Sequence, residues 1–233
     1  MMERKDLISS IPVINLGARC FEDLADEVLA ELKDHKQQMK YKPGETLFKQ
    51  GAFTSSVMFV LDGFVKEYLE NESGKKTNLR IATKGDFLSL SSLFVPGKYH
   101  FTAEALSECD ICVFETNFLR GVASENSLFA LRLMEKFGRT ESTYFSVLNS
   151  MLYKQMNGKM AQVILYLSSF EEENGVSVYD FLSRKDIAEF AVVTPENATR
   201  VLKSFESDGL IRLEDKRIIV LNYFGLEKIK DIG

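Results

Sequence analysis

Histidine and cysteine are scarce in this 233-residue chain, which has two histidines and three cysteines. Two histidines give little material for a metal-dependent hydrolase or a catalytic triad, and the sequence has no glycine-rich phosphate loop. An odd, small number of cysteines is not a disulfide framework and fits a reducing compartment. We therefore expect a cytoplasmic protein that is not an enzyme.

Long apolar runs and an excess of positive charge are also missing. No stretch approaches the roughly 18 uninterrupted apolar residues that a membrane span requires, and the opening MMERKDLISSIPVINLG lacks the apolar core of a signal peptide. The formal net charge is −5, and residues 151–233 contain 11 Lys and Arg against 13 Asp and Glu. We expect no membrane partner, and any nucleic-acid binding must come from a local patch on an acidic surface.

Glycines divide the segment from about residue 40 to residue 115 into short pieces. They stand at positions 44, 51, 63, 74, 85 and 97, and β-prone runs such as SVMFVLDG, FVKEYLE and ECDICVFE lie between them. Short strands separated by regular turn signals are typical of an antiparallel sandwich or barrel. We predict an all-β module here, and a helix before it at about residues 21–33.

A stretch with no proline and a single glycine follows at about residues 127–154. Its apolar residues recur at helical spacing, and charged residues occupy the other side. Such a helix is roughly 40 Å long at 1.5 Å per residue, which is more than a small β-roll can cover. We expect a homodimer seam formed by Leu131, Met134, Phe137, Phe145, Leu148 and Leu152. The alternative is a helix that folds back onto its own sheet.

The last third of the chain has the outline of a winged helix-turn-helix. Helical patterns occur at about residues 158–170, in SRKDIAEF and in TPENATRVLKSF, and two apolar runs then flank the turn-prone EDKR. The predicted fold class is α+β, with an N-terminal antiparallel β-roll, a long dimerisation helix and a C-terminal winged helix-turn-helix. We place the β-roll domain with its long helix at residues 1–155 and the DNA-binding domain at residues 156–233.

Capping residues mark the starts of two helices in this third of the chain. Ser183 and Asp186 have the spacing of a capping box, which satisfies free N–H groups at a helix start. Thr194 can cap the next helix, and Pro195 then falls at its first position, where the missing N–H costs nothing. The apolar side of this second helix, predicted to face inward, consists of Ala198, Val201, Leu202 and Phe205.

The polar side of the second helix suits DNA recognition better than an ordinary solvated face. Arg200 can bind both acceptors of guanine, Glu196 can accept from the cytosine amino group, and Thr199 offers a hydroxyl and a methyl group. We predict that these three residues read bases. Backbone or secondary DNA contacts are assigned to Ser183, Lys185, Thr194, Asn197, Lys203, Lys216 and Arg217.

From about Gln37 to Asn222 the chain resembles the Crp/Fnr family of transcription regulators, the group of the cyclic-AMP receptor protein and the fumarate-nitrate reduction regulator. The resemblance is carried by YKPGETLFKQG, FVLDGFVKEYLENESGKKTNL, KGDFLSL and LSRKDIAEFAVVTPENATRVLKSFESDGLIRL. It implies a homodimer on a palindromic promoter site, RNA polymerase as a further partner, and an N-terminal domain that senses a small-molecule effector. The Glu196, Thr199 and Arg200 arrangement resembles the fumarate-nitrate branch, so half-sites resembling TTGA are expected.

Two features depart from the family pattern. The turn between the two recognition-domain helices usually holds a glycine, and here it holds Val192; a β-branched residue resists positive φ, so we expect a reshaped turn. The family's cyclic-nucleotide binders use a Gly-Glu-Leu run and an arginine, but here no glutamate stands at Ser89 or Leu90 and no arginine between Leu88 and Leu119. Burying a phosphate without a partner is costly, so we expect an effector other than cyclic AMP.

Other effectors are constrained less strongly. An iron–sulfur cluster normally needs four cysteines; only Cys20 lies near the N-terminus, and the Cys109–Cys112 spacing directs two strand side chains to opposite faces, so we expect no cluster. Haem remains open through His35 or His100. The candidate effector pocket comprises Leu88, Leu90, Ser91, Ser92, His100, Phe101, Thr102 and Tyr144. The alternatives are a haem- or redox-dependent gas or stress sensor of the same fold, and a constitutive regulator without a ligand.

Overall fold

A computed structural model describes residue 21 and residues 24–170 and 175–232. By its contacts the chain divides into two compact units, Met1–Glu70 with Ile81–Ser142, and Asn71–Arg80 with Thr143–Gly233. Cys20 lies outside the described residues, as do positions 22 and 23 of the predicted first helix. Among the residues that are described, no helix is long and apolar enough to cross a membrane.

Residues 36–115 contain eight strands. They are β1 (Lys36–Tyr41), β2 (Thr46–Phe48), β3 (Ser56–Asp62), β4 (Val65–Glu70), β5 (Lys76–Ala82), β6 (Phe87–Leu88), β7 (Thr102–Ala105) and β8 (Cys109–Glu115). Two four-stranded sheets result, with strand orders β1-β8-β3-β6 and β2-β7-β4-β5. The pairs of β8 with β1 and β3, and of β7 with β2 and β4, are antiparallel. The predicted antiparallel β-roll is confirmed.

Gly63 illustrates why glycines punctuate these strands. It lies between β3 and β4 with φ +90°, and a Cβ atom there would stand 2.3 Å from the carbonyl oxygen of Glu108 and 2.8 Å from Sγ of Cys109. Both the backbone conformation and the lack of space exclude a side chain. The β3–β4 turn therefore requires glycine.

One core of the first unit lies between the β1-β8-β3-β6 sheet and helices α1 (Asp26–His35) and α2 (Thr116–Glu125). Phe21 packs against Phe59 and Phe114, with ring centroids 5.8 and 6.2 Å apart. The helix predicted at about residues 21–33 is α1, which begins at Asp26, with acidic residues in its first turn, and ends at His35. The aliphatic and aromatic residues of this core are almost fully buried.

The long helix α3 spans Ser127–Tyr153, which agrees with the predicted residues 127–154 to within one residue. Most of the predicted seam residues on it are exposed in the single chain; these are Leu131, Met134, Phe145, Leu148 and Leu152. Phe137 differs, because it packs against the core of its own unit and its ring lies 6.1 Å from that of Phe94. Phe137 is therefore only partly available to the predicted seam, whereas the other five residues are exposed.

The second unit contains the predicted winged helix-turn-helix. Its elements are α4 (Met156–Ser168), α5 (Arg184–Ala191), α6 (Pro195–Ser207), β9 (Ile211–Glu214), β10 (Arg217–Val220) and α7 (Tyr223–Ile232). Strands β9 and β10 form an antiparallel hairpin, the wing. The predicted inward residues of α6, which are Ala198, Val201, Leu202 and Phe205, are all buried. Helix α7 was not predicted from the sequence.

Candidate nucleic-acid interface

Helix α5 begins with the predicted capping box. The backbone N–H of Asp186 donates to Oγ of Ser183 at 3.1 Å, and the backbone N–H of Ser183 donates to Oδ2 of Asp186 at 2.9 Å. These two bonds satisfy N–H groups that the first helical turn leaves without partners. They fix where α5 starts, and so where the following turn must lie.

The turn after α5 keeps the backbone form that glycine usually supplies. Val192 has φ 54° and ψ 44°, in the left-handed region, and its N–H donates to the carbonyl of Ala188. The N–H of Val193 donates to the same carbonyl at 3.0 Å. The expectation of a reshaped turn was therefore wrong, because the helix-ending hydrogen bonds hold a β-branched residue in a conformation that it resists.

Helix α6 is the predicted recognition helix, and its start is also capped as predicted. The hydroxyl of Thr194 accepts a hydrogen bond from the N–H of Asn197 at 3.3 Å, and Pro195 occupies the first helical position. Proline has no N–H to leave unsatisfied there, and its φ already suits a helix. The first turn of α6 is thereby fixed by the local sequence.

The three residues predicted to read bases, Glu196, Thr199 and Arg200, are exposed on α6, and we call them the base-reading edge after that prediction. Nη2 of Arg200 donates to Oδ1 of Asn197 at 3.2 Å, and the hydroxyl of Thr199 donates to the carbonyl of Pro195 at 2.9 Å. The carboxylate of Glu196 accepts hydrogen bonds from its own backbone N–H and from the Thr194 side chain. Both bonds lower the pKa of the carboxyl group, the backbone bond more strongly. Glu196 is therefore an ionised acceptor at neutral pH.

The residues predicted to contact phosphates differ in their exposure and in their contacts within the protein. Lys185 and Lys203 are exposed. Lys216 donates to the carbonyl of Asp180 at 3.1 Å. Arg217 makes a two-pronged contact with the Asp180 carboxylate, with Nε–Oδ1 at 2.9 Å and Nη2–Oδ2 at 2.7 Å. The hydrogen bonds from the Arg217 guanidinium are the main cause of the lowered pKa of the Asp180 carboxyl group. Through this pairing Arg217 anchors the wing.

A groove beside the start of α6 contains residues that sequence reasoning missed. We call it the lysine groove; its volume is about 570 Å³. Its charged lining consists of Lys75, Lys76, Lys159, Lys185 and Glu189, and its other walls include Thr194, Pro195 and Asn197. Lys75 and Lys76 follow the turn at Gly74, far from α6 in the chain. Only the run GKK at residues 74–76 marks them in the sequence.

The predicted effector-pocket residues of the first unit have different surroundings. Leu90 is in the core against the helices, whereas His100 is exposed. The hydroxyl of Ser92 donates to the carbonyl of Ser89 at 2.8 Å, and that of Thr102 accepts from the N–H of Gln50 at 3.1 Å. Leu88 and Phe101 are buried, Ser91 is half-buried, and Tyr144 belongs to the second unit.

Arg120 is another residue that sequence reasoning passed over, because it lies just beyond the arginine-free stretch. Its Nε donates to the carbonyl of Leu93 at 2.7 Å, and its Nη2 to that of Ser92 at 3.4 Å. A third donor, Nη1, meets Oδ1 of Asn117 at 3.3 Å. Arg120 therefore ties the 3-10 turn Leu90–Leu93 to helix α2.

The two described cysteines are buried in different surroundings. Cys112 is part of the core against the helices, whereas Sγ of Cys109 donates to the carbonyl of Phe64 at 3.2 Å. Burial raises the pKa of both thiols, that of Cys112 to about 12. The ring of His35 stacks on Phe118, with centroids 4.3 Å apart. Within the described ranges, no group of three His, Cys, Asp or Glu side chains is placed to hold a metal ion.

Comparison with known proteins gives matches to two family models. A family model of the cyclic nucleotide-binding domain matches residues 38–126, and one of the Crp-like helix-turn-helix domain matches residues 158–229. A sensor-type β-roll and an exposed, capped recognition helix in one chain define a DNA-binding transcription regulator with a sensor domain. The chain belongs to the Crp/Fnr family of transcription regulators.

Relatives and solved structures cover most of the chain. Over 200 residues it is 23% identical to the cAMP-activated global transcriptional regulator CRP of Salmonella typhimurium, covering 84% of this chain and 94% of that one. The structure of FixK2 from Bradyrhizobium japonicum superposes with a TM-score of 0.74 at 17% identity, covering 83% and 96%. The c-di-GMP responsive regulator CLP of Xanthomonas campestris gives 0.70 at 15% identity, covering 84% and 99%. At these identities the two structures show the shared fold.

Proposed function

We propose that the chain is a homodimeric regulator that recognises a palindromic promoter site through Glu196, Thr199 and Arg200. The observation that carries this proposal is the exposure of the base-reading edge on a helix whose start is fixed by Thr194 and Pro195. In a two-fold dimer, the two recognition helices would enter successive major grooves about 34 Å apart. By family resemblance, RNA polymerase is a further partner.

The exposed apolar stripe of α3 supports the homodimer. Leu131, Phe145 and Leu152 are 65%, 61% and 63% exposed in the single chain. Large apolar side chains in a row along one helix mark interaction surfaces, and a second copy of the same helix can cover such a row along its whole length. We therefore propose α3 as the dimer seam, with Phe145 in the second half of the helix.

We further propose that an effector other than cyclic AMP acts through the N-terminal domain. No arginine lies between Leu88 and Leu119, and the guanidinium of Arg120 is occupied by backbone carbonyls. A cyclic phosphate buried in this segment would lack an arginine partner. CRP and CLP are named for responses to cAMP and to c-di-GMP, so the fold serves more than one effector. Any effector must bind the two states of the regulator with different affinity.

The proposed function is tested by selecting DNA from a random duplex pool with the purified full-length chain. We expect enrichment of inverted repeats whose half-sites resemble TTGA, because two symmetry-related recognition helices contact equivalent bases. A parallel selection without protein measures amplification bias. Enrichment of no sequence, or of a single site without symmetry, would contradict the proposal.

An absorption spectrum of the same preparation tests the haem alternative through its Soret band.

Cyclic AMP is expected to leave the protein unchanged. A ligand present at 100 times its Kd stabilises the folded state by about 2.7 kcal/mol, which is a shift of several degrees in Tm for a domain of this size. With about 1 mM cyclic AMP we expect no shift in Tm and no change in affinity for the selected DNA. Scanning calorimetry measures the Tm and fluorescence anisotropy measures the affinity for DNA. A clear response to cyclic AMP in either would overturn the proposal that the effector is a different molecule.

A further inference from the structure

The lysine groove gathers positive charge from three separate parts of the second unit. Lys75 ends the turn between β4 and β5 and Lys76 begins β5, whereas Lys159 lies on α4 and Lys185 on α5. Among the described residues that line the groove there is one carboxylate, Glu189, whose Oε1 lies 3.8 Å from Nζ of Lys185. The groove therefore has a net positive lining on a chain whose formal charge is −5.

Specific contacts hold the two walls of the groove together. The turn is closed by two backbone hydrogen bonds, from Asn71 N–H to the carbonyl of Lys75 at 3.1 Å and from Gly74 N–H to that of Asn71 at 2.9 Å. Next to it on β5, the fully buried Asn78 donates from Nδ2 to the carbonyl of Asp186 on α5 at 3.0 Å. The turn is thereby tied to the helix that precedes the recognition helix.

The position of the groove suggests its ligand. Thr194, Pro195 and Asn197 form part of its wall, and the base-reading edge begins at Glu196 on the same helical turn. A DNA strand whose bases meet this edge carries its phosphates past the start of the helix, where amide N–H groups and lysines attract anions. An open groove lined by four ammonium groups suits a run of phosphates better than one small anion.

We propose that Lys75 and Lys76 contact the phosphodiester backbone of the DNA bound by α6, and so extend the DNA-binding surface beyond the winged helix-turn-helix. This inference rests on the proposed function. Contacts of this kind add affinity without sequence preference, because every nucleotide has the same phosphate. The turn would therefore affect the salt dependence of binding and leave the selected sequence unchanged.

The test compares wild type with the double variant Lys75→Gln, Lys76→Gln on the selected palindrome and on a random duplex. Each phosphate contact contributes about 0.9 to the slope of log K against log [salt], so loss of four contacts per dimer should reduce the slope by about 3.6. Between 50 and 200 mM salt, the loss of affinity should become roughly 100-fold smaller on both duplexes. Lys75→Gln alone, at an exposed turn position, should reduce the slope by about 1.8.

The matched control is Lys40→Gln, Lys42→Gln, which removes two exposed charges of the first unit and should leave the slope unchanged. An unchanged slope in the folded Lys75 variants, or an equal fall in the control, would overturn the inference. A second outcome would also overturn it: 10 mM orthophosphate stabilises wild type but not the double variant, and the two proteins have the same salt slope. The groove would then hold a small anion and not the DNA backbone. If wild type enriches no palindrome, the proposed function itself fails, which the selection reveals separately.

Discussion

Replacing Arg200 with alanine should sharply reduce the preference of the protein for its selected palindrome over random DNA. A two-pronged arginine–guanine contact discriminates by about 1–3 kcal/mol, and a dimer makes it in both half-sites, so we expect a loss of about 2–6 kcal/mol. Arg200 is exposed, and its Nη2 donates to Oδ1 of Asn197 at 3.2 Å, one turn earlier on the same helix. Fluorescence anisotropy with both duplexes at one salt concentration measures the specificity ratio.

Lys203→Ala is the matched control for Arg200, since Lys203 is a second exposed cation on the same helix. If it contacts only phosphate, its loss should weaken binding to both duplexes by the same factor and leave the specificity ratio unchanged. Arg200→Ala should instead act mainly on the palindrome. An equal loss on both duplexes for Arg200→Ala would remove its base-reading role, whatever the total affinity.

Replacing Phe145 with glutamate should dissociate the dimer. The side chain is 61% exposed in the single chain, so the folded monomer can accommodate a carboxylate there at little cost. In the proposed seam two carboxylates would lose their hydration, and each effective penalty is several kcal/mol. We expect the dimer Kd to rise by at least about 100-fold, with a corresponding loss of affinity for the palindrome. Sedimentation velocity across a concentration series measures the change.

Val95→Glu provides the comparison for Phe145, because Val95 is also an exposed apolar residue but lies outside α3. It introduces the same charge and should leave the sedimentation coefficient and its concentration dependence unchanged. A wild-type dimer that persists in Phe145→Glu would place the seam elsewhere on the chain. Far-UV circular dichroism of both variants separates dissociation from unfolding.

The parts of the fold that the sequence predicts best are those determined by local chemistry. Ser183, Asp186, Thr194 and Pro195 fix two helix starts through bonds within one turn, and the structure shows each of them as predicted. The ends of α3 follow from an uninterrupted helical pattern. The glycine spacing indicates the strands, because a residue such as Gly63 at φ +90° has no substitute.

Three features escaped prediction, one held by local hydrogen bonds and two by contacts between residues far apart in the chain. The conformation of Val192 is set by hydrogen bonds to the carbonyl of Ala188, which overcome an intrinsic preference. The pairing of Arg217 with Asp180, 37 residues away in the chain, has no local signal in the sequence. The lysine groove combines Lys75 with residues more than 80 positions later, and no local pattern indicates that approach.

The identity of the effector is a different kind of gap. Sequence and structure show what one stretch lacks for a cyclic phosphate, and the polar groups of Ser92 and Thr102 are occupied by backbone partners. The absence of one set of ligands does not specify another. The shape of an effector site depends on side-chain packing that many sequences can produce, whereas a helix cap depends on one or two residue types.

The buried thiols described above give the protein an internal reporter of unfolding. Burial raises the pKa of Cys112 to about 12, so the thiol is protonated at pH 7 and alkylating reagents meet almost no nucleophile while the chain is folded. In the unfolded chain the same thiol has an ordinary pKa and is open to solvent. The rate at which iodoacetamide labels Cys109 and Cys112, followed by peptide mapping, therefore measures the opening of the β-roll directly. DNA or an effector that stabilises this domain would slow that rate, without any need to know in advance what the effector is.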